Sequence, residues 1–159
     1  MVSETLLKCL SLLKEKKLTI AFAEGASGGK ICYNFSAVST SEKIILGKIV
    51  ALKDHMKEYF FGINSEILQQ FGSESAEVAR QMAHGLCDYL DADIRVSVTG
   101  DFNETVPQDK ERQSIFIHII FPDSDVSRKL ELKGSSAEMA EQVVTAISEI
   151  IVEHLNVEV

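Results

Sequence analysis

The chain has 159 residues, of which 45% are apolar and 25% charged, a balance that suits one globular domain and excludes long disordered tracts. Its formal net charge of −8 is spread along the chain, so it repels phosphate backbones and anionic lipid heads, and neither nucleic acid nor membrane is an expected partner. No secretory signal pattern opens the sequence and no apolar run reaches the roughly 20 residues of a membrane span, which points to a cytoplasmic protein.

Leu6, Leu10 and Leu13 recur at helical spacing and predict a first helix from Glu4 to Lys16. Leu18 to Ala23 reads as a short buried strand, broken by Gly25-Ala26-Ser27-Gly28-Gly29 before Ile31, Phe35 and Val38 begin a new helical stripe. A second strand fits Ile44 to Leu52. Short helices follow over Lys53 to Phe60 and Ser65 to Phe71, the latter ended by Gly72. The stripe Val78, Met82, Leu86 and Tyr89 or Leu90 predicts the longest helix, Ser75 to Leu90, with Arg80, Gln81 and Asp88 left to solvent.

Ile94, Val96 and Val98 alternate with Arg95 and Ser97, the pattern of a half-buried strand running into Thr99-Gly100. A loop from Asp101 to Gln113 comes next. Ile115 to Phe121 and Arg128 to Lys133 then form a hairpin about Pro122-Asp123-Ser124-Asp125. Ser135 with Glu138 makes a capping box for a final helix whose Val143, Ile147, Ile150 and Ile151 face the core. No repeat or linker interrupts this order, so residues 1–159 read as a single α/β domain, a three-layer α/β/α sandwich on a mixed, about five-stranded sheet.

The glycine loop after the first strand is the leading candidate site, because ligands in such folds lie beyond strand carboxyl ends and loop amides can hold an anion. It is not a Walker A loop, since Glu24 stands where the first glycine belongs and Ile31 follows Lys30. Gly25, Gly28 and Gly29 also miss the dinucleotide spacing. A purely structural glycine turn fits the same residues.

Ala23-Glu24-Gly25-Ala26-Ser27-Gly28-Gly29 resembles the Ala-Glu-Ser-Cys-Thr-Gly-Gly signature of CinA C-terminal domains. Later landmarks agree in order: Gly47 to Ile63 with Lys57 and Gly62-Ile63, then Phe71-Gly72 with Ser75 to Gly85, then Ala92-Asp93 through Thr99-Gly100. The likeness spans about Leu12 to Leu155. It implies the fold of nicotinamide mononucleotide amidohydrolases, in which a lysine activates a serine nucleophile. A lysine whose charge is disfavoured by burial suits that role.

Here the serine position of that family is Gly25, its cysteine Ala26, its threonine Ser27 and its tyrosine Leu52, while Lys57 is retained. The Thr-Gly-Ile-Ala-Gly-Pro loop has become Thr99-Gly100-Asp101-Phe102-Asn103-Glu104, and Gly134-Ser135-Ser136 replaces Gly-Asp-Arg, removing a cation suited to phosphate. The resemblance thus implies a domain with little or no amidohydrolase activity. One alternative is an amidohydrolase acting on nicotinamide mononucleotide or a related amide through Ser27 and Lys57. Another is a small-ligand, nucleotide-like binding or sensor module using Glu24, Gly25, Ser27, Gly28, Gly29, Thr99 and Gly100. Ser27 as a cap for a helix starting at Gly28, and Lys57 as a solvated cation, are the plainer assignments.

Cys9, Cys32 and Cys87 read as packed, reduced thiols. The four histidines, His55, His84, His118 and His154, show no metal-ligand spacing, and His118 reads as a core or edge residue. Neither a metal nor a cofactor is expected. Self-association into a homo-oligomer is.

Overall fold

The computed structural model describes residues 2–38, 41–102 and 112–157, the side chain of 157 excepted, so most of the predicted Asp101 to Gln113 loop, Asn103 and Glu104 included, lies outside the described residues. Helix α1 (Glu4–Lys16) has the predicted bounds, and Ser3 accepts from the Leu6 amide at its start. Strand β1 (Ile20–Glu24) leads through the glycine loop to helix α2 (Lys30–Ser36) and strand β2 (Ile45–Val50). Helices α3 (Asp54–Phe61), α4 (Ser65–Phe71) and α5 (Ala76–Leu86) precede strand β3 (Ile94–Gly100). Strands β4 (Gln113–Ile120) and β5 (Asp125–Leu132) and helix α6 (Ser136–Val157) complete the chain.

The sheet has the order β2-β1-β3-β4-β5. β1 pairs in parallel with both β2 and β3, whereas β3, β4 and β5 are antiparallel neighbours, so the sheet is mixed as expected. The chain steps from β1 to β2 in one direction and from β2 to β3 in the other. Right-handed crossovers that run in opposite senses place their helices on opposite faces. Accordingly α1, α2 and α6 cover one face, around Leu10, Phe22, Phe35, Val143 and Ile147, and α3, α4 and α5 cover the other, around Phe61, Leu68, Met82 and Leu86. Among the described residues no helix is long and apolar enough to cross a membrane.

Two expectations are corrected. The longest helix is α6, with 22 residues, and α5 stops at Leu86. A turn over 87–89 still delivers Leu90 to the second core, so the apolar spacing outlasts the helix. Strand β3 is also buried on both faces, with only Arg95 partly exposed, because it is the central strand of a sheet covered twice. Its Ser97 is tolerated there because the hydroxyl donates to the Ala79 carbonyl of α5.

Helix α3 approaches α5 at Gly85, where an added Cβ would meet the Phe61 carbonyl oxygen and lie 2.7 Å from the Phe61 Cα. Backbone cannot yield as a side-chain tip can. Gly85→Ala should therefore destabilise the fold by about 1–3 kcal/mol despite the better helix propensity of alanine, as read by urea denaturation. Equal or greater stability would refute this contact.

Candidate functional site

The connections diverge at the carboxyl ends of β1 and β3, the place at which open α/β sheets take ligands. Gly25 leaves β1 with its amide on the Val98 carbonyl, and Thr99 and Gly100 end β3 beside it. Gly28 and Gly29 turn the loop with φ of 64° and 94°, which non-glycine residues rarely adopt.

The loop is built around Glu24, which is fully buried. One carboxylate oxygen accepts from the Ser27 hydroxyl at 2.7 Å and the Ile31 amide at 3.0 Å, and the other accepts from the Cys32 amide at 3.0 Å. Glu24 therefore caps α2 from within the strand. Ser27, assigned from sequence as the cap of a helix starting at Gly28, instead supports that carboxylate, and the helix begins at Lys30 with Gly29 as its N-cap. A carboxylate reaching seven and eight residues ahead serves the helix amides better than a hydroxyl, since charged acceptors make the stronger bonds.

Lys57 is not the solvated cation of the plainer assignment. It lies within α3 and is 3% exposed. Its amine donates to the Ser73 hydroxyl at 2.7 Å, the Ser73 carbonyl at 3.0 Å and the Thr99 hydroxyl at 3.3 Å. Burial holds the Lys57 amine below its ordinary value of 10.5, against the opposing charges of Asp54 and Glu74. The structure thus joins Lys57 and Thr99, while the hydroxyl of Ser27 is spent on Glu24.

Position 25, where the resemblance puts a serine, is defined by its surroundings. An ideal Cβ on Gly25 would stand 3.6 Å from the Lys57 amine nitrogen and 3.4 Å from the Thr99 hydroxyl, ordinary contact distances. A hydroxyl one bond further out falls within reach of the roughly 2.7–3.2 Å of a hydrogen bond to that amine. The amine and its surroundings are present; the side chain of residue 25 is a hydrogen.

Two residues escaped the sequence reading. Ser73 precedes α5 and its hydroxyl meets the Lys57 amine directly. The available signal was its place directly after Gly72, in the connection to α5. Lys48, exposed on edge strand β2, reaches across to the Gly29 carbonyl at 3.2 Å and brings a cation to the glycine loop. The two buried thiols are unsuited to chemistry: burial pushes Cys9 up to about 12 and Cys32 up to about 11, the latter helped by the charge of Glu24 and opposed by Lys48. Cys87, expected to pack, is exposed. A surface cavity lined by Leu13, Thr19, Glu42 and Ile44 opens at the opposite, amino-terminal end of β1 and β2 and shares no residue with this site.

Comparison with known proteins gives the family and the fold. A CinA C-terminal domain model matches residues 3–155. A competence-damage inducible protein of Bacillus cereus is 30% identical over 136 residues, covering 85% of this chain and 33% of that protein. A CinA-like protein of Leptospira borgpetersenii is 38% identical over 89 residues, 56% of this chain and 21% of that protein. The chain thus spans a third or less of the length of these relatives. The crystal structure of a competence or damage-inducible protein from Enterobacter asburiae superposes with a TM-score of 0.86 at 21% identity, covering 98% of both chains, and likewise shows the fold. A second such protein, from Agrobacterium tumefaciens, gives 0.83 at 22% identity over 96% of this chain and 94% of its own. With a family model matched along nearly its whole length and the five-stranded mixed sheet in place, the chain belongs to the CinA C-terminal domain family.

Proposed function

We propose that this chain is a diverged CinA C-terminal domain that keeps the lysine of a serine–lysine amidohydrolase site and has lost the serine, so that hydrolysis of nicotinamide mononucleotide by that route is absent or very slow. The observation that carries this reading is the 3.6 Å between the Lys57 amine and the Cβ position of Gly25, with no hydroxyl on residue 25. A nucleophile absent from an otherwise positioned site removes the covalent step, and what binding alone retains is a small part of enzymic acceleration. Incubation of the purified chain with nicotinamide mononucleotide should release no ammonia above the uncatalysed rate. Turnover near 1 s⁻¹, ordinary for enzymes, would overturn the proposal. In that event Ser73→Ala and Ser27→Ala separate the two hydroxyls: loss only in the first would assign the reaction to the serine that already touches Lys57.

A second reading, a binding module for a small anionic, nucleotide-like ligand, is favoured by Lys48. Its amine at the Gly29 carbonyl supplies a cation beside the glycine loop that the replaced Gly-Asp-Arg segment no longer offers. Thermal-shift measurements with nucleotides and nicotinamide compounds test it, because a ligand at about 100 times its Kd adds roughly 2.7 kcal/mol. No shift with any of them would dismiss it.

A further inference from the structure

On the second face of the sheet, toward β5, three donor groups from three elements converge. His84 lies in the last turn of α5, His118 in β4 and Asp125 at the start of β5. Asp125 Oδ2 is 2.9 Å from His118 Nε2 and 3.2 Å from His84 Nε2, and the three donor atoms all lie within 4.8 Å of one another. Positions 41 and 7 residues apart from Asp125 gave no metal-ligand spacing in the sequence; the β4–β5 hairpin and the crossing of α5 over β4 create the cluster.

We propose that His84, His118 and Asp125 form a binding site for a divalent transition ion of the zinc class, with a coordination position left open to solvent. The donor set is two imidazole nitrogens and one carboxylate oxygen, which suits Zn²⁺ and its Co²⁺ or Ni²⁺ surrogates rather than the oxygen-seeking Mg²⁺ or Ca²⁺. Two of the three donor separations are close to what such an ion requires. Tetrahedral bonds of about 2.0–2.1 Å imply ligand separations of roughly 3.3–3.4 Å. The two separations to Asp125 need to open by only a few tenths of an ångström to admit the ion.

The site is anchored on one side and open on the other. The His118 side chain is 5% exposed and fixed within the sheet, whereas His84 and Asp125 are 49% and 38% exposed, which gives an ion and its waters a way in. His118 Nδ1 is buried without a hydrogen-bond partner among the described residues, so the ring makes its polar contact through Nε2, the nitrogen that faces Asp125. The neighbouring charges are Glu77, whose carboxylate bears on His118, and Arg80, which binds Glu77 at 2.6 Å and also bears on Asp125. The first favours a cation and the second opposes it. The overall charge of −8 adds to the first.

Titration of the metal-free full chain with Zn²⁺ by calorimetry should give one saturable equivalent, and Co²⁺ should develop the visible absorption of a low-coordinate nitrogen–oxygen site. His84→Ala and Asp125→Asn, both at exposed positions, should weaken Zn²⁺ binding at least tenfold with unchanged circular dichroism. Replacing His55, which is outside the cluster, should leave it unaltered. Absence of saturable binding, binding undiminished in His84→Ala and Asp125→Asn, or equal affinity for Mg²⁺ would each overturn the assignment. None of these readouts depends on amidohydrolase activity.

Discussion

Gly25→Ser should fold as the parent does and should hydrolyse nicotinamide mononucleotide roughly a hundredfold faster than the parent, the lower end of what a positioned base contributes. Gly25 has none of the left-handed backbone that would strain a side chain, and the atoms nearest the added Cβ are the Thr99 hydroxyl at 3.4 Å and the end of Lys57 at 3.6 Å, no closer than ordinary contact. The new hydroxyl would stand within hydrogen-bonding reach of an amine that burial has already shifted toward its neutral form. Because neutral amine is the base, the rate should rise with pH and reach half its plateau below 10.5. Adding Lys57→Met should return the variant to the parent rate. A well-folded Gly25→Ser with no gain over the parent would show that the missing serine is not what silences the site.

Glu24→Gln should lower stability by about 2–4 kcal/mol, since hydrogen bonds to a charged group are strong and a buried donor left facing another donor keeps its desolvation penalty. Both oxygens of Glu24 accept, from the Ser27 hydroxyl and the Ile31 and Cys32 amides, so one of them must become an NH₂ group pointed at an N–H. For a chain of this size the loss corresponds to a fall in Tm of roughly 5–15 °C. Differential scanning calorimetry reads it, and an unchanged Tm would mean that solvent or a rearranged loop serves those amides equally well.

Much of the fold was legible because its signals are local. The leucine spacing of α1 and the turn formers of the β4–β5 hairpin are carried by neighbours in the chain; α1 has the expected bounds, and the hairpin is present with its second strand starting three residues early, at Asp125. The expectations that failed had causes that the apolar spacing does not carry. The two-sided burial of β3 follows from its central place in the sheet, and the end of α5 follows from a turn that still returns Leu90 to the core. The site divides in the same manner. Gly25 and Lys57 could be placed by resemblance, but the capture of Ser27 by Glu24, the meeting of Ser73 with Lys57 and the convergence of His84, His118 and Asp125 exist only once the sheet is assembled.

The Lys57 amine joins α3, the connection before α5 and the end of β3 through Ser73 and Thr99. A molecule that takes a hydrogen bond from this nitrogen competes with Ser73 and Thr99 for it, so occupancy of the site and the hold on residue 73 are coupled. Changes that loosen the α4–α5 connection will consequently be felt as tighter binding at the site, and a bound ligand will leave that connection easier to open.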